Sequence, residues 1–124
     1  ELAATPEETQ QRVMTMVTDP QRQRRSDPGR PEVCNVFSMH KTFSSAEEVQ
    51  MVERDCRAAA IGCVDCKKLF AKNLNAHLAG FRERRAEIAA RPNDVVDILK
   101  DGAQRAEVIA EATMQEVRAA VGML

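Results

Sequence analysis

Apolar residues recur at steps of three and four along most of the chain, which is the spacing of one face of an α-helix. Thr5 and Glu8 form a capping box that predicts a helix running to about Val17. A second capping box at residues 45–48 predicts a helix that ends near Ala60. A capping box therefore locates the N-terminus of two of the predicted helices.

Three further helices follow from the same periodicity. A short one is predicted over residues 31–42, and a long one over residues 63–91. The apolar face of the long helix consists of Phe70, Leu74, Leu78, Phe81 and Ile88. Asn93 is predicted to cap the terminal segment, residues 93–124, in which Asp101-Gly102 offers a break into two helices. We therefore expect residues 1–124 to form one all-α domain, a bundle-like arrangement of five to six helices.

Residues 21–31 are predicted to form a surface loop, because prolines and a glycine disfavour a helix there and no core-forming residue is present. The loop carries four arginines, namely Arg22, Arg24, Arg25 and Arg30. Two interpretations are open for this charge run. The arginines contact nucleic-acid phosphates, or the loop is simply a solvated surface segment.

Charge and composition narrow the function classes. The chain has 18 Lys and Arg against 19 Asp and Glu, so no global basic field exists and any nucleic-acid contact must come from local patches. Trp and Tyr are absent, which leaves few stacking platforms for bases. No apolar run is long enough to span a bilayer, and no signal peptide is visible at the N-terminus. We expect a soluble, cytoplasmic segment of a longer protein.

Four cysteines are separated by twenty-one, six and two residues: Cys34, Cys56, Cys63 and Cys66. Cys63 and Cys66 lie at a predicted helix start, where unpaired amides favour thiolate over thiol. Cys56 falls on the apolar stripe of the preceding helix, and Gly62 is predicted to end that helix in a left-handed conformation. We therefore expect the four thiols to meet at a junction of three helices.

Three interpretations of this cysteine set remain open at the level of the residues. A metal centre could be a tetrahedral zinc site or an iron–sulfur cluster. The alternatives are free buried thiols, or a disulfide or dithiol redox pair, although no βαβ pattern surrounds the Cys-x-x-Cys sequence. His40 and His77 are predicted to be structural, because neither lies at ligand spacing from a cysteine.

Several phrases in order along the chain resemble those of bacterial tryptophanyl-tRNA synthetases, in the C-terminal helical region. They are residues 17–20, 24–35, 36–41, 62–68, 82–87 and 101–106. The resemblance implies a class I ligase that activates tryptophan with ATP and transfers it to its tRNA. It also implies that this helical region recognises the anticodon end. The two ATP-binding signatures of class I synthetases do not occur here, so we expect this chain alone to be inactive and only the parent enzyme to bind ATP.

The resemblance has further implications for cofactor and partners. It implies a [4Fe-4S] cluster on Cys34, Cys56, Cys63 and Cys66, with zinc as the alternative. The partners it implies are tryptophan tRNA, a catalytic domain N-terminal to this chain on which residues 93–124 would pack, and a second subunit of a homodimeric parent. The candidate RNA-binding residues are Arg22, Arg24, Arg25, Arg30, Lys41, Lys67, Lys68 and Arg82. The competing hypothesis is a non-catalytic module, stapled by zinc or an iron–sulfur cluster, that binds nucleic acid or protein.

Overall fold

A computed structural model describes residues 2–123, and all the regular structure it contains there is helical. The elements are helix α1 (Pro6–Thr15), a 3₁₀ turn (Pro31–Val33), and helices α2 (Asn35–Phe43), α3 (Ala46–Arg57), α4 (Cys63–Ala89) and α5 (Pro92–Ala120). The prediction of an all-α chain with five to six helices is confirmed. None of the helices described is long and apolar enough to cross a membrane.

Both predicted capping boxes are present. The Glu8 amide donates to Thr5 Oγ at 3.2 Å, and the Thr5 amide donates to Glu8 Oε2 at 2.8 Å. Ser45 and Glu48 repeat the arrangement at the start of α3, with both distances at 3.3 Å. A side-chain cap of this kind stabilises a helix by about 1 kcal/mol. The starts of α1 and α3 are thus determined by residues three apart in sequence.

The helix predicted over residues 31–42 is interrupted at Cys34. The 3₁₀ turn ends at Val33, Cys34 has extended backbone angles (φ −96°, ψ 114°), and α2 begins only at Asn35. Pro31 has no amide hydrogen and suits the first position of a helical turn, which accounts for the separate short element. Cys34 consequently occupies the N-cap position of α2 instead of an interior helical position.

The end of α3 also differs from the prediction. Gly62 does not adopt the left-handed conformation; Ala59 does, with φ +56°. The Ala60 amide donates to the Asp55 carbonyl at 2.8 Å, and the Ala59 amide donates to the Cys56 carbonyl at 3.2 Å. This pair of bonds is a Schellman motif, which places the left-handed residue directly after the C-cap. Because α3 ends at Arg57, that residue is Ala59, three positions before Gly62.

Helix α5 is continuous through Asp101-Gly102, so the predicted break is wrong. A single glycine costs a helix about 1 kcal/mol relative to alanine, which 29 residues of helix tolerate. Asn93 is not the cap either: Arg91 is the N-cap and Pro92 takes the first helical position, to which its fixed φ is suited.

The chain divides into two units, one through Arg82 and one from Glu83 onward, and α4 contains the boundary. The first unit has a core of Val13, Val36, Phe70 and Ala71. The second contains α5, whose residues include none that is buried. Of the predicted apolar face of α4, Phe70 is fully buried, whereas Phe81 and Ile88 are 38% and 54% exposed. Packing of residues 93–124 on another domain stays a prediction.

Candidate cysteine centre and arginine loop

The four cysteines lie at the ends of three helices in the first unit. Cys34 is the N-cap of α2, Cys56 lies in the last turn of α3, and Cys63 and Cys66 lie in the first turn of α4. All four are free thiols and half-buried. Two helix N-termini, each with unpaired amides and a positive dipole end, therefore carry three of the sulfurs.

The four thiols are close enough to influence one another electrostatically. Burial, together with the charges of the neighbouring thiolates of Cys34, Cys56 and Cys63, raises the pKa of the Cys66 thiol to about 12. Burial also raises the pKa of Cys56, with the charges of Cys34 and Cys63 adding to the effect. The thiols of Cys56 and Cys66 therefore stay protonated until a cation compensates their charge, so at Cys66 burial opposes the thiolate that the helix start was expected to favour. The predicted meeting of four cysteines at a three-helix junction agrees with this arrangement.

Arg22 approaches two of these sulfurs from the loop. Its Nη1 lies 3.8 Å from Cys56 Sγ and 3.8 Å from Cys63 Sγ. Its Nη2 donates to the carbonyls of Arg25 and Ile61, both at 2.9 Å, which fixes the guanidinium in place. The Nε of Arg22 is buried and has no hydrogen-bond partner. A fixed cation with an unused donor beside two thiols suits a negatively charged, sulfur-ligated centre.

Gly29 closes the site from the loop side. It is buried, and its amide donates to the Cys56 carbonyl at 2.9 Å. A Cβ added at Gly29 would collide with Cys56 Sγ. The close approach of the loop backbone to this sulfur therefore requires the absence of a side chain.

Asp19 and Arg30 hold the two ends of the same loop together. Asp19 is buried and accepts hydrogen bonds from the backbone amides of Gln21 and Arg30. The hydrogen bond from the Arg30 guanidinium holds the pKa of the Asp19 carboxyl well below its usual range, against the opposing effect of burial. No local motif predicts this contact of Asp19, because its partner lies eleven residues away.

The donor set fits a metal centre in its chemistry, since all four ligands are soft thiols, two of them lie beside a fixed cation, and three lie at helix N-termini. Within residues 2–123, however, no group of three or more His, Cys, Asp or Glu side chains is arranged so that it could hold a metal ion. The four sulfurs lie near one another, but they do not have the coordination geometry of a bound metal ion. The iron–sulfur cluster and its zinc alternative consequently stay predictions.

The eight candidate RNA-binding residues separate into two groups. Four are half-buried and engaged within the fold: Arg22, Arg30, Lys67 and Arg82. Lys67 Nζ donates to the Met14 carbonyl at 2.9 Å, and Arg82 Nε donates to the Ala4 carbonyl at 2.9 Å. The other four are exposed: Arg24, Arg25, Lys41 and Lys68. The charges of the exposed group are therefore the more accessible to a partner in solution.

Two of the exposed arginines border the cysteine centre. Arg24 and Arg25 line a surface depression of about 310 Å³ whose wall also includes Arg22, Gly62 and Cys63. Arg25 lies 3.8 Å from Asp65, and the side chains are 74% and 55% exposed, so this contact is weak. Lys41 lies elsewhere, above the ring of Phe37 at 5.1 Å. Positive charge is thus concentrated on the surface depression beside Cys63.

Comparison with known proteins gives a consistent result. No protein-family model matches the chain. The tryptophan–tRNA ligase of Aquifex aeolicus is 47% identical over 118 residues, which are 94% of this chain and 30% of that protein. The same ligase from Thermotoga maritima is 43% identical over 124 residues, or 99% of this chain and 38% of that protein. The ligase of Deinococcus radiodurans is 44% identical over 92% of this chain and 34% of that protein.

A solved structure extends the comparison to the fold. The crystal structure of tryptophanyl-tRNA synthetase from Campylobacter jejuni, complexed with ADP and tryptophan, has a TM-score of 0.85 to this chain. The alignment covers 98% of this chain and 38% of that one, at 24% identity. The chain spans about a third of the length of the curated relatives that it matches. It therefore matches one part of these ligases in sequence, and one part of the Campylobacter jejuni structure in fold.

Proposed function

We propose, from the premise that this chain is a C-terminal helical segment of the tryptophan–tRNA ligase family, that it recognises the anticodon end of tryptophan tRNA. The similarity to three tryptophan–tRNA ligases over at least 92% of the chain carries this proposal. The parent enzyme would activate tryptophan with ATP, transfer it to the tRNA, work in the cytoplasm and form a homodimer. This segment would contribute tRNA contacts and no catalytic group.

The arginine loop, residues 21–31, supports the assignment of an RNA-facing surface. Arg24 and Arg25 are exposed and border the depression beside Cys63, while Arg22 is turned towards the sulfurs behind them. Arginine is well suited to phosphate because its planar fork donates two parallel hydrogen bonds. The hydrogen bonds of Asp19 hold the two ends of this loop together, which limits the ordering entropy that RNA binding must overcome.

We also propose that the four cysteines hold a [4Fe-4S] cluster, with zinc as the alternative. Cys34, Cys56, Cys63 and Cys66 would be the ligands, and such a centre would join the ends of α2, α3 and α4 through four thiolates. Arg22 would balance part of its negative charge. The role is structural: the centre would fix the surface that carries Arg24 and Arg25.

A stand-alone, non-catalytic module was the competing hypothesis. The relatives do not support it, because those that match nearly the whole chain are ligases. The ligase hypothesis and the module hypothesis differ in which RNA they expect the chain to bind. A region specialised for one ligase should prefer tryptophan tRNA, whereas a general nucleic-acid module should bind other tRNAs equally well.

The tRNA proposal is tested in the full-length ligase by binding titrations at several salt concentrations. We expect Arg24→Ala combined with Arg25→Ala to weaken binding of tryptophan tRNA and to lower the salt slope by about 2, one for each lost phosphate contact. Arg84→Ala with Arg85→Ala is the matched control, since it removes two adjacent exposed arginines from α4. Equal losses in both double variants, or equal affinity for all tRNAs, would contradict the proposal.

The metal proposal is tested by elemental analysis and a visible spectrum of protein purified without oxygen. Iron and sulfide in equal amounts, with a brown colour, would support the cluster, and one zinc per chain would support the alternative. Cys63→Ser should lower both metal content and the melting temperature, because metal binding is coupled to folding. Loss of the metal with unchanged melting would contradict the structural role, and a protein without metal would contradict the centre itself.

A further inference from the structure

His40 lies beside the cysteine centre and is completely buried. Its Nδ1 is 2.7 Å from Ser44 Oγ. On the other side of the ring, Nε2 is 3.5 Å from Cys66 Sγ and 3.3 Å from the Cys66 carbonyl oxygen. The imidazole thus joins a serine hydroxyl on one edge to a proposed metal ligand on the other.

A chain of polar groups continues beyond Ser44. Asn73 Nδ2 donates to Ser44 Oγ at 3.0 Å and to Glu48 Oε2 at 2.6 Å. The same Glu48 oxygen accepts the Ser45 amide in the capping box of α3. The chain therefore runs from the start of α3, through α4, to the end of α2 and back to the sulfur of Cys66.

The donors and acceptors in this chain allow one direction of hydrogen bonding. An amide nitrogen only donates, and the two hydrogens of Asn73 Nδ2 serve Glu48 and Ser44. Since Ser44 Oγ accepts from Asn73, its own hydrogen is free to point to His40 Nδ1. Nδ1 then acts as the acceptor, and in a neutral imidazole the single hydrogen lies on Nε2. That hydrogen has two acceptors within reach, the Cys66 carbonyl oxygen at 3.3 Å and the Cys66 sulfur at 3.5 Å.

The ring cannot easily turn away from this arrangement. His40 packs edge-on against Phe70, with ring centroids 5.3 Å apart and an interplanar angle of 62°. Packing and hydrogen bonding therefore fix the same orientation.

We propose that His40 is a positioning residue for Cys66: its Nε2–H, in a tautomer set by Ser44, Asn73 and Glu48, donates to the ligating sulfur. A thiolate bound to metal has no hydrogen and only accepts, so this donor suits the ligated state. Hydrogen bonds to cluster sulfurs also influence cluster stability and reduction potential. Arg22 faces Cys56 and Cys63 from the loop, so His40 would serve a sulfur that Arg22 does not contact. The role rests on the proposed cysteine-ligated centre.

The tautomer is measured by ¹⁵N spectroscopy of the imidazole nitrogens in the full-length, metal-loaded protein. We expect His40 to carry its hydrogen on Nε2, with exposed His77 as the internal comparison. Asn73→Asp replaces the donor by an acceptor, so Ser44 should donate to the new carboxylate and the hydrogen of His40 should move to Nδ1. A hydrogen on Nδ1 in the unmodified protein would overturn the proposal.

Metal retention provides the second measurement. His40→Phe should weaken metal binding by about tenfold or more, the usual effect of losing an outer partner of a ligand, so a chelator should remove the metal faster. His40→Gln keeps a donor and should restore most of the retention, and His77→Phe is the matched control. Release from His40→Phe at the unmodified rate would overturn the role. A protein that takes up neither iron nor zinc overturns the proposed centre itself, and the ¹⁵N spectrum of the metal-free protein distinguishes that failure from an incorrect tautomer.

Discussion

Arg30 binds Asp19 through a forked pair of hydrogen bonds that closes the arginine loop. Arg30 Nη2 donates to Asp19 Oδ1 at 2.7 Å, and Arg30 Nε donates to Oδ2 at 3.1 Å. The carboxylate is almost inaccessible, whereas the arginine side chain is 40% exposed. Four donors surround this buried carboxylate, so it fixes the backbone at both ends of the loop. Arg22 and Gly29, which lie between these ends, are thereby held near the sulfurs.

Asp19→Asn should destabilise the protein and change its response to acid. Because the pKa of Asp19 is lowered on folding, its contribution to stability is complete above about pH 4, the pKa of an unperturbed Asp. The contribution is lost as the pH falls further towards the folded pKa. Urea unfolding at pH 7 and pH 3 measures this. The variant should be less stable at pH 7, and the difference from the unmodified protein should shrink at pH 3; a constant difference would contradict the assignment.

Gly29→Ala should lower the free energy of unfolding by about 1–3 kcal/mol, the usual consequence of overpacking. The added methyl group collides with Cys56 Sγ, which is held between α3 and the loop. Gly80→Ala is the matched control, because nothing lies within 4 Å of an added Cβ in α4. That variant should gain about 1 kcal/mol from helix propensity. Thermal unfolding of both separates the steric effect from the general effect of replacing glycine.

Ala59→Gly should stabilise the protein by about 1 kcal/mol, because Ala59 has φ +56° and a Cβ is unfavourable in the left-handed region. Glycine is the usual residue at this position of a Schellman motif. Ala58→Gly, one residue earlier at φ −84°, is the control and should give no such gain. Denaturant midpoints of the two variants give the comparison, and equal midpoints would argue against strain at Ala59.

Arg82→Ala should reduce stability without reducing the affinity of the folded protein for tRNA. Arg82 donates to the Ala4 carbonyl at 2.9 Å and to Thr9 Oγ1 at 2.8 Å, so it connects α4 to the N-terminal segment and α1. Losing hydrogen bonds from a charged donor costs about 2 kcal/mol. Melting curves and tRNA titrations at low temperature separate the two effects. Loss of tRNA affinity with unchanged melting would place Arg82 at the RNA surface instead.

Local patterns predicted the features that depend on residues close in sequence. The capping boxes at Thr5 and Ser45 each involve a partner three residues away, so the hydrogen bonds form whenever the helix does. The Cys63–Cys66 pair lies within one turn at the start of α4 for the same reason. The break at Asp101-Gly102 was predicted wrongly, because a glycine weakens a helix without ending it.

The surroundings of the sulfurs, by contrast, were decided by the tertiary structure. Arg22 meets Cys56 and Cys63 across 34 and 41 residues, and His40 meets Cys66 across 26. No short-range pattern distinguishes Arg22, turned inward, from Arg24, turned outward. The sequence by itself determined the helices and the four thiols, because backbone hydrogen bonds and caps are local. Only packing decided which arginine and which histidine face those thiols, because a side chain's partner depends on where distant segments lie.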